Sequence, residues 1–334
     1  MDNSHGRTGY AYFLIFTVMT QILFLEEVHE VLEQRLNAAG YDCVKDYECS
    51  AVDLTKRYST ISGMVLRSRL ILSREILSTL PQLKWIARSG SGLENIDLTA
   101  AEELNIAVFS SPEGNCDAVG EHVIGMLLTL MNRLHLANLE VKSGHWHREA
   151  NRGYELKGKT IGIIGYGHMG SALARKLVGF EMRVLAFDKY KTIEKTEPAI
   201  QVGMEEIFRD ADIVSLHLPL SDETIGFAND DFFARFRKSI YFVNTARGKH
   251  LKTSSLQHAL DAGKVLGACL DVLEFESRTL ESMQDESEVF AQIKADQRVL
   301  LTPHVAGWTH ESYFKLSQVL ADKIINTFGD NQRL

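Results

Sequence analysis

Short apolar runs alternate along the chain with longer stretches in which apolar residues recur every three or four positions. The short runs predict strands and the longer stretches predict helices. Their regular alternation favours an α/β fold built on parallel sheets. In the first third of the chain, strands are predicted at 22–25, 61–66, 85–87 and 107–109, and helices at 28–38 and 74–80.

One longer helical pattern separates this first α/β block from a second. It covers 117–133, and apolar residues at 119, 123, 126, 127 and 130 give it a wide apolar face. A helix of this length with such a face can pack against both blocks, so we expect it to bridge two domains.

The second block begins at Thr160 and again alternates strands with helices. Its six predicted strands match a doubly wound nucleotide-binding sheet, and a last helix follows with Leu316, Leu320 and Ile324 on one face. The acidic stretch 274–288 is interpreted as a solvated loop. The predicted strands are 160–164, 183–187, 212–216, 240–243, 266–270 and 299–301.

Length and composition limit the classes of function. A chain of 334 residues suggests about two domains, and its net charge of −8 gives no general attraction for nucleic acid or anionic membranes. Four scattered cysteines without CxxC spacing predict reduced thiols rather than a disulfide framework or a zinc site. We therefore expect a cytoplasmic protein that binds neither nucleic acid, membrane nor metal.

The N-terminus carries an apolar run, 11–25, which is too short to span a bilayer. It lacks a small-residue cleavage site, so a signal peptide is disfavoured. Met19 opens a segment that already reads as strand, helix and second strand. We interpret residues 1–18 as an upstream extension from an early start codon, not as part of the native protein.

A glycine-rich turn follows the strand predicted at 160–164. Gly165, Gly167 and Gly170 form GxGxxG between a strand and a helix, and Asp188 ends the next strand 18 residues after the last glycine. The glycines permit a tight turn, close approach of a pyrophosphate and close packing of helix on strand. Asp188 would accept hydrogen bonds from ribose hydroxyls and repel a 2′-phosphate, which favours NAD over NADP. The alternative is a structural glycine turn with a surface aspartate, and Lys189 and Lys191 weaken a strict NAD preference.

Three ionisable residues lie just beyond predicted strands of the second block: Arg247, Glu276 and His304. Ligands bind at that carboxyl edge in open α/β sheets. Arginine binds a carboxylate through two parallel hydrogen bonds, and histidine serves as acid and base near neutral pH. A glutamate beside the histidine would orient its ring and favour the imidazolium. Singly, each residue has an ordinary structural explanation, but their joint placement favours hydride exchange on a 2-hydroxy or 2-oxo acid.

These motifs make the chain similar to the D-isomer-specific 2-hydroxyacid dehydrogenases, from about Met19 to Phe328. The motifs are GYGHMG with Asp188, HLPL from His217, NTARG, the pair Asp271 and Glu276, and TPHVAG. The resemblance implies that Arg247, Glu276 and His304 are catalytic and that Asp271 contacts the nicotinamide carboxamide. It further implies cofactor contacts from Gly165, Gly167, His168, Met169, Gly170, Asp188, His217, Leu218, Pro219, Thr245, Ala246 and Gly307.

The resemblance also implies a fold, in which a Rossmann NAD-binding domain is inserted into a flavodoxin-like substrate domain. The implied bounds are 19–115 plus 304–334 for the substrate domain and 116–303 for the NAD domain. The family dimerises through an arm of its NAD domain, so we expect a homodimer with Trp146 as an interface anchor. His145 and His147 flank it without a third metal ligand. Ser277 departs from the proline usual in the family, and the role implied for Glu276 does not depend on that proline.

Among branches of the family, the chain most resembles the 3-phosphoglycerate dehydrogenases. Backbone N–H groups of residues 89–92 would hold a carboxylate, leaving Arg67 and Arg88 for a phosphate. The alternative is that Arg67 and Arg69 are ordinary surface charges. No regulatory domain follows residue 334, so feedback through such a domain is not expected. The matching substrate residues are Arg67, Ser68, Arg88, Ser89, Gly90 and Asn115.

Other functions remain open at this point. Within the enzymes, the alternative is a glyoxylate, hydroxypyruvate or other D-2-hydroxy acid reductase, whereas the pair Glu276 and His304 argues against a formate dehydrogenase. A different class is a corepressor like the C-terminal-binding proteins, which use NAD binding to control assembly. Turnover of NADH with a 2-oxo acid would distinguish the enzyme from the binding protein.

Overall fold

The computed structural model describes residues 20–276 and 287–329, which form two parallel sheets flanked by helices. The first sheet contains β1 (Thr20–Phe24), β2 (Tyr41–Lys45), β3 (Gly63–Leu66), β4 (Trp85–Arg88) and β5 (Ala107–Ser110). Its strand order is β2-β1-β3-β4-β5. The central strand β3 is apolar and buried along its whole length because helices cover both faces of the sheet.

The second sheet has seven strands, β6 (Thr160–Ile164), β7 (Arg183–Phe187), β8 (Ile200–Gln201), β9 (Ile213–Leu216), β10 (Ile240–Asn244), β11 (Val265–Leu270) and β12 (Val299–Leu301). Their order is β12-β11-β10-β9-β6-β7-β8. The order reverses direction at β6, which is the topological switch point where such sheets bind nucleotides.

Helices fill the connections in both blocks. In the first block and the connection to the second they are α1 (Val31–Ala38), α2 (Ala51–Arg57), α3 (Arg74–Leu77), α4 (Leu98–Glu103), α5 (Pro112–Met131) and α6 (Leu134–Lys142). The remaining helices are α7 (His168–Leu177), α8 (Met204–Asp210), α9 (Asp230–Ala234), α10 (Thr253–Asp261), α11 (Glu288–Ala295) and α12 (His310–Phe328).

The bridging helix α5 starts earlier than the pattern predicted. Pro112 occupies its first turn, where a missing N–H costs nothing, and the helix ends at Met131. Arg133 then takes a left-handed conformation with φ 51°, which separates α5 from α6. The buried side of α5 includes Val123 and Leu127, which share a core with residues of β6 and α7.

The last helix packs against the first sheet, far back along the chain. Leu320, Ala321 and Ile324 share one buried core with Ile22 and Phe24 of β1. Arg35 of α1 also pairs with Asp322 of α12 at 2.7 Å. The chain therefore returns to its first block after completing the second sheet. The bounds 19–115 plus 304–334 and 116–303 stay a prediction.

The sequence located most strands to within two residues, with two informative errors. Strand β3 starts at Gly63, because Ile61 closes a turn by donating its N–H to the Tyr58 carbonyl. Strand β8 was not predicted, since two exposed residues carry no alternation of apolar and polar positions. The proposed extension 1–18 and position 277 lie outside the described residues. Within the described part, no helix is long and apolar enough to cross a membrane.

Candidate active site

The glycine turn after β6 packs as its spacing predicted. Gly165 has φ +95°, and a Cβ added there would come within 2.4 Å of the His217 carbonyl oxygen. A Cβ on Gly170 would meet the Gly165 carbonyl oxygen at 2.2 Å. Glycine is required at both positions, because a side chain on Gly165 would collide with the His217 backbone and one on Gly170 would push α7 away from the turn.

Gly167 differs from its two neighbours, because a Cβ there would meet nothing within 4 Å. It precedes α7, and the backbone N–H groups of Gly167, His168 and Met169 find no acceptor among the described residues. An open helix N-terminus with free N–H groups suits a phosphate. Across the same edge, the Thr245 hydroxyl is buried without a hydrogen-bond partner in the described part of the chain. These features fit a dinucleotide such as NAD.

Asp188 follows β7 and anchors the glycine turn. Its carboxylate accepts hydrogen bonds from the backbone N–H groups of Tyr166 (2.7 Å), Tyr190 (2.9 Å) and Lys191 (2.9 Å). Burial acts to raise the pKa of Asp188, but these N–H groups outweigh it and hold the pKa below its ordinary value. A fixed negative charge therefore lies beside the turn. Lys189 is occupied by an ion pair with Glu223.

The HLPL segment after β9 lines the opposite side of the glycine turn. The Nε2 atom of His217 lies 2.8 Å from the Ser215 hydroxyl, and burial lowers the pKa of His217 to about 4, so its ring is neutral at physiological pH. The carbonyl of His217 and the N–H of Leu218 border Gly165. The Pro219 carbonyl accepts a hydrogen bond from Thr224 at 2.8 Å.

Arg247 is held by the turn that follows β10. Asn244, fully buried, accepts a hydrogen bond from the Ala246 N–H (3.1 Å) and donates one to the Arg247 carbonyl (2.9 Å). The Arg247 guanidinium then reaches the first block, where Nε donates to Glu94 at 2.6 Å. It lies over Gly92, where a Cβ would come within 2.1 Å of Nη2. Arg247 thus meets the loop predicted to bind substrate.

Glu94 is a partner that the sequence reasoning did not identify. Burial acts to raise the pKa of Glu94, but the charge and hydrogen bond of Arg247 outweigh it, so the pKa lies below its ordinary value. Glu94 therefore stays ionised beside the guanidinium. The acidic residue in SGLEN was the available signal, but only the fold brings it to a residue 153 positions away.

Gly248, the next residue, brings Arg247 and Glu276 together. A Cβ on Gly248 would come within 1.8 Å of the Leu273 carbonyl oxygen, so only glycine lets the two loops touch. The Glu276 carboxylate accepts a hydrogen bond from the Leu273 N–H, and its other oxygen lies 2.8 Å from Nδ1 of His304. The stretch 274–288 was expected to be a solvated loop, but at its start Glu276 is bonded to Leu273 and His304. Residues 277–286 lie outside the described part.

His304 has a constrained backbone, with φ +55° in the left-handed region. Such a conformation costs about 1–3 kcal/mol in a residue other than glycine and needs support from its surroundings. Asp271 supplies that support. Its carbonyl accepts the His304 N–H (2.7 Å), and its carboxylate accepts the N–H groups of Val305 (2.9 Å) and Ala306 (2.8 Å).

The Asp271 carboxylate is almost fully buried, at 1% exposure, and also accepts the Thr302 hydroxyl at 2.6 Å. His122 on α5 lies 3.0 Å from that hydroxyl. Neither Thr302 nor His122 was identified from the sequence. The loop carrying His304 is therefore fixed from β11 and α5 together. Contact of Asp271 with the nicotinamide carboxamide stays a prediction.

Arg67 and Arg88 lie at the ends of β3 and β4. Arg88 donates a hydrogen bond from Nε to the Arg67 carbonyl at 3.2 Å. Burial, together with the nearby charges of Arg247 and Arg67, lowers the pKa of Arg88 to about 10. Both of these guanidinium groups therefore lie close enough to act on Arg88. Glu26 was not identified from the sequence; its carboxylate accepts the N–H groups of Arg67 (2.8 Å) and Ser68 (3.3 Å).

The loop at 89–92 differs in one respect from the predicted carboxylate site. Ser89 donates its backbone N–H to the Leu66 carbonyl at 2.9 Å, so that group is already used. The N–H groups of Gly90, Ser91 and Gly92 have no acceptor among the described residues. Gly90 has φ +151°, and a Cβ there would meet the Arg88 guanidinium.

Asn115 connects the substrate loop to the loop of His304. It accepts a hydrogen bond from the Ser91 hydroxyl at 2.7 Å. On its other side, a Cβ on Gly307 would come within 2.6 Å of the Asn115 amide nitrogen. The predicted substrate loop therefore meets the loops that carry Arg247 and His304. The described residues contain no cluster of side chains suited to a metal ion.

Comparison with known proteins shows what this chain is similar to. A family model for the NAD-binding domain of D-isomer-specific 2-hydroxyacid dehydrogenases matches residues 124–306. A hydroxypyruvate reductase of Thermotoga maritima is 32% identical over 310 residues, covering 93% of this chain and 94% of that protein. A D-3-phosphoglycerate dehydrogenase of Archaeoglobus fulgidus is 30% identical, covering 92% of this chain but only 57% of that longer protein.

Among solved structures, a D-lactate dehydrogenase of Aquifex aeolicus in complex with NAD and lactic acid has a TM-score of 0.78 and 26% identity. The match covers 93% of this chain and 97% of that chain. The chain belongs to the family of D-isomer-specific 2-hydroxyacid dehydrogenases. The predicted α/β fold, the NAD cofactor and the assignment as a dehydrogenase are confirmed.

Proposed function

We propose that the protein interconverts a 2-oxo acid and its D-2-hydroxy acid, with Arg247, Glu276 and His304 as catalytic residues. The observation that carries this proposal is the 2.8 Å contact between the Glu276 carboxylate and Nδ1 of His304. This contact fixes the ring and leaves Nε2 for the substrate oxygen. With Nδ1 held by the carboxylate, Nε2 can exchange a proton with the substrate oxygen.

Each group has one task in the reaction. NADH, when bound, supplies the hydride that C2 of the oxo acid receives, and NAD accepts it in the reverse direction. His304 donates a proton from Nε2 to the carbonyl oxygen as that oxygen gains negative charge, and takes it back during oxidation. Arg247 binds the substrate carboxylate through its planar fork and orients C2.

We further propose that the substrate carries a second anionic group, as 3-phosphohydroxypyruvate does. Arg67, Arg88 and Arg247 interact electrostatically in one cleft. The nearest carboxylates are already engaged, since Glu94 pairs with Arg247 and Glu26 accepts backbone N–H groups. A substrate with two anionic groups would relieve the repulsion among the three guanidinium groups. Charge-assisted contacts of this kind contribute about 1.5–3 kcal/mol each.

A panel of 2-oxo acids followed by NADH absorbance tests both parts of this proposal. We expect kcat/KM for 3-phosphohydroxypyruvate to exceed that for hydroxypyruvate and glyoxylate by tenfold or more, because one charge-assisted contact corresponds to about that factor. The Arg88→Ala variant should lose this preference and keep its activity on glyoxylate. Equal efficiency on all three acids would contradict the phosphate assignment. Absence of turnover on the whole panel, with tight NAD binding, would favour a corepressor-like binding protein.

A second candidate is reduction of hydroxypyruvate or glyoxylate without a phosphate. The supporting observation is the relative named hydroxypyruvate reductase, which matches this chain over nearly its whole length. In that case Arg247, Glu276 and His304 keep their roles, and the Arg67→Ala and Arg88→Ala variants change neither the substrate ranking nor kcat.

We also propose that two copies of the chain associate through α6 and the segment that follows it. No residue of α6 is buried, and large apolar side chains are exposed there. Trp146 is 76% exposed, so burying it in a partner would remove much apolar surface from water. Sedimentation equilibrium should give twice the mass of 37.5 kDa, and Trp146→Glu should give the monomer mass. The exposed residues are Leu134, Leu139, Val141, Trp146 and Tyr154.

A further inference from the structure

Trp308 lies beside the cleft, on the connection between β12 and α12, four residues after His304. Its indole ring contacts the Arg67 guanidinium, whose Cζ lies 4.2 Å from the ring centroid. The ring is 47% exposed and belongs to no core cluster. The contact joins the end of β3 to the loop of the catalytic histidine.

Among the described residues, the side chain of Arg67 has no partner other than Trp308. No carboxylate in that part of the chain lies within ion-pair distance of its guanidinium, and its side chain donates no hydrogen bond there. Arg69, two positions further, differs. Its guanidinium donates to the carbonyls of Cys49 (3.0 Å) and Leu25 (2.9 Å), so it belongs to the framework of the first block.

The backbone around Arg67 is fixed, so only its side chain needs positioning. The Glu26 carboxylate accepts the N–H groups of Arg67 at 2.8 Å and Arg69 at 3.1 Å. Trp308 is positioned too, because its ring makes an edge contact with Tyr313 at 5.5 Å between centroids. Tyr313 in turn contacts His29, which lies beyond β1, at 5.6 Å.

Stacking on an indole orients a guanidinium without consuming its donors. The ring contacts the flat face, while the five N–H groups point outward in the plane of the guanidinium. A carboxylate partner would orient the group as well, but it would neutralise the charge and occupy the donors. The stacked arginine therefore keeps its full capacity for an incoming anion, with less rotamer freedom left to lose.

We propose that Trp308 is a specificity-determining residue that positions the Arg67 guanidinium to bind the second anionic group of the substrate. This inference rests on the proposed function. Trp308 touches neither the reacting carbon nor the transferred proton, so it is a positioning residue. Its contribution should appear only with substrates that carry two anionic groups, such as 3-phosphohydroxypyruvate or a 2-oxo dicarboxylic acid.

Kinetics of Trp308 variants test this inference. For Trp308→Ala, we expect kcat/KM on 3-phosphohydroxypyruvate to fall about tenfold, mainly through KM, while kcat/KM on glyoxylate stays within about twofold. Trp308→Phe retains a π face and should recover most of the loss. Leu98→Ala, which removes an apolar side chain of similar exposure on α4, is the matched control and should change the ratio of the two efficiencies little.

A double-mutant cycle separates positioning from general damage. If Trp308 acts through Arg67, Trp308→Ala should have no further effect on the preference once Arg67→Ala has been introduced. Additive losses would overturn the inference. The inference would also be overturned if the parent enzyme preferred doubly anionic acids and Trp308→Ala showed the same preference. This outcome would leave the proposed function intact.

Fluorescence gives a readout that does not depend on turnover. Inorganic phosphate, titrated into the protein in the presence of NAD, should change the emission of the parent enzyme and leave that of Trp308→Phe unchanged. The variant keeps the other two tryptophans, Trp85 and Trp146, so a difference in emission between the two proteins reports Trp308. Loss of this difference would overturn the inference, whereas failure of all 2-oxo acids to turn over would overturn the proposed function.

Discussion

The carboxylate of Glu274 accepts two hydrogen bonds from Thr253, one from its backbone N–H and one from its hydroxyl, both at 2.9 Å. Thr253 is the first residue of α10, and the preceding Lys252 supplies no side-chain cap. An acid 21 positions away thus caps this helix, and the same contact fixes the loop that carries Glu276 two residues later. The Glu276 loop is therefore anchored at three points: to α10, to Gly248 and to His304.

We predict that Glu274→Gln lowers kcat about tenfold while the KM for NADH changes little. The neutral amide weakens the cap by about 1–2 kcal/mol, so the loop samples conformations in which Glu276 no longer meets His304. Steady-state kinetics with a saturating 2-oxo acid would measure this. Thr253→Ser keeps both donors and should retain the parent kcat.

Glu102→Gln on α4 is a matched control, because it removes an exposed acid without a role in the site. If Glu274 served only helix stability, its replacement would lower the unfolding temperature and leave kcat, measured well below that temperature, unchanged. That result would contradict the positioning role.

We predict that His304→Ala lowers kcat by about 10²–10⁴ while NAD binding is maintained, because a general acid contributes a factor of this size. Arg247→Lys should also be severe, since a point charge cannot reproduce the bidentate fork that binds the carboxylate. Stopped-flow measurement of NADH oxidation and calorimetric titration of NAD would separate chemistry from binding. Near-parental kcat in either variant would rule out the catalytic assignment.

The sequence predicted those parts of the site that depend on local spacing. Gly165 and Gly170 lie in one short turn, and their close contacts follow from the strand and helix on either side. The position of Arg247 after β10 likewise follows from the parallel sheet, because residues beyond strand ends gather at one edge. Such features need only the order of elements along the chain.

Contacts between distant segments could not be read in the same way. Glu94 meets Arg247 across 153 positions, and Trp308 meets Arg67 from the opposite end of the chain. Neither contact has a periodicity or spacing to reveal it, since each depends on how distant segments pack in the folded protein. Ser89 shows the opposite error: its N–H was assigned to a ligand, but it is used by the neighbouring strand.

We predict that Asp188→Asn lowers the ratio of kcat/KM for NADH to that for NADPH by about a hundredfold. A carboxylate near a 2′-phosphate repels it by a few kcal/mol at the effective dielectric constant of a protein surface, and the amide removes that repulsion. Asp222→Asn, an exposed aspartate on the loop after β9, is the matched control and should leave the ratio unchanged. Higher efficiency with NADPH in the parent enzyme would contradict the role of Asp188.

The last prediction concerns His250, which is fully buried three residues after Arg247. Its Nε2–H donates to the Pro219 carbonyl at 3.2 Å, so a second proton would have to go to Nδ1, which is buried without a partner in the described structure. Burial accordingly lowers the pKa of His250 to about 4, from an ordinary value of 6.5. The unfolded chain therefore binds a proton between these two pH values and the folded protein does not.

Stability should consequently fall as the pH drops from 6.5 towards 4, by about 1.4 kcal/mol per pH unit for this histidine. The free energy of unfolding, measured with denaturant, should be lower at pH 5 than at pH 8. This decrease should be smaller by about 2 kcal/mol in His250→Leu than in the parent. The leucine also removes one hydrogen bond, which lowers the free energy of unfolding equally at both pH values and leaves the difference intact. If the decrease between pH 8 and pH 5 were the same in both proteins, His250 would bind its second proton in the folded state, which its unpartnered Nδ1 argues against.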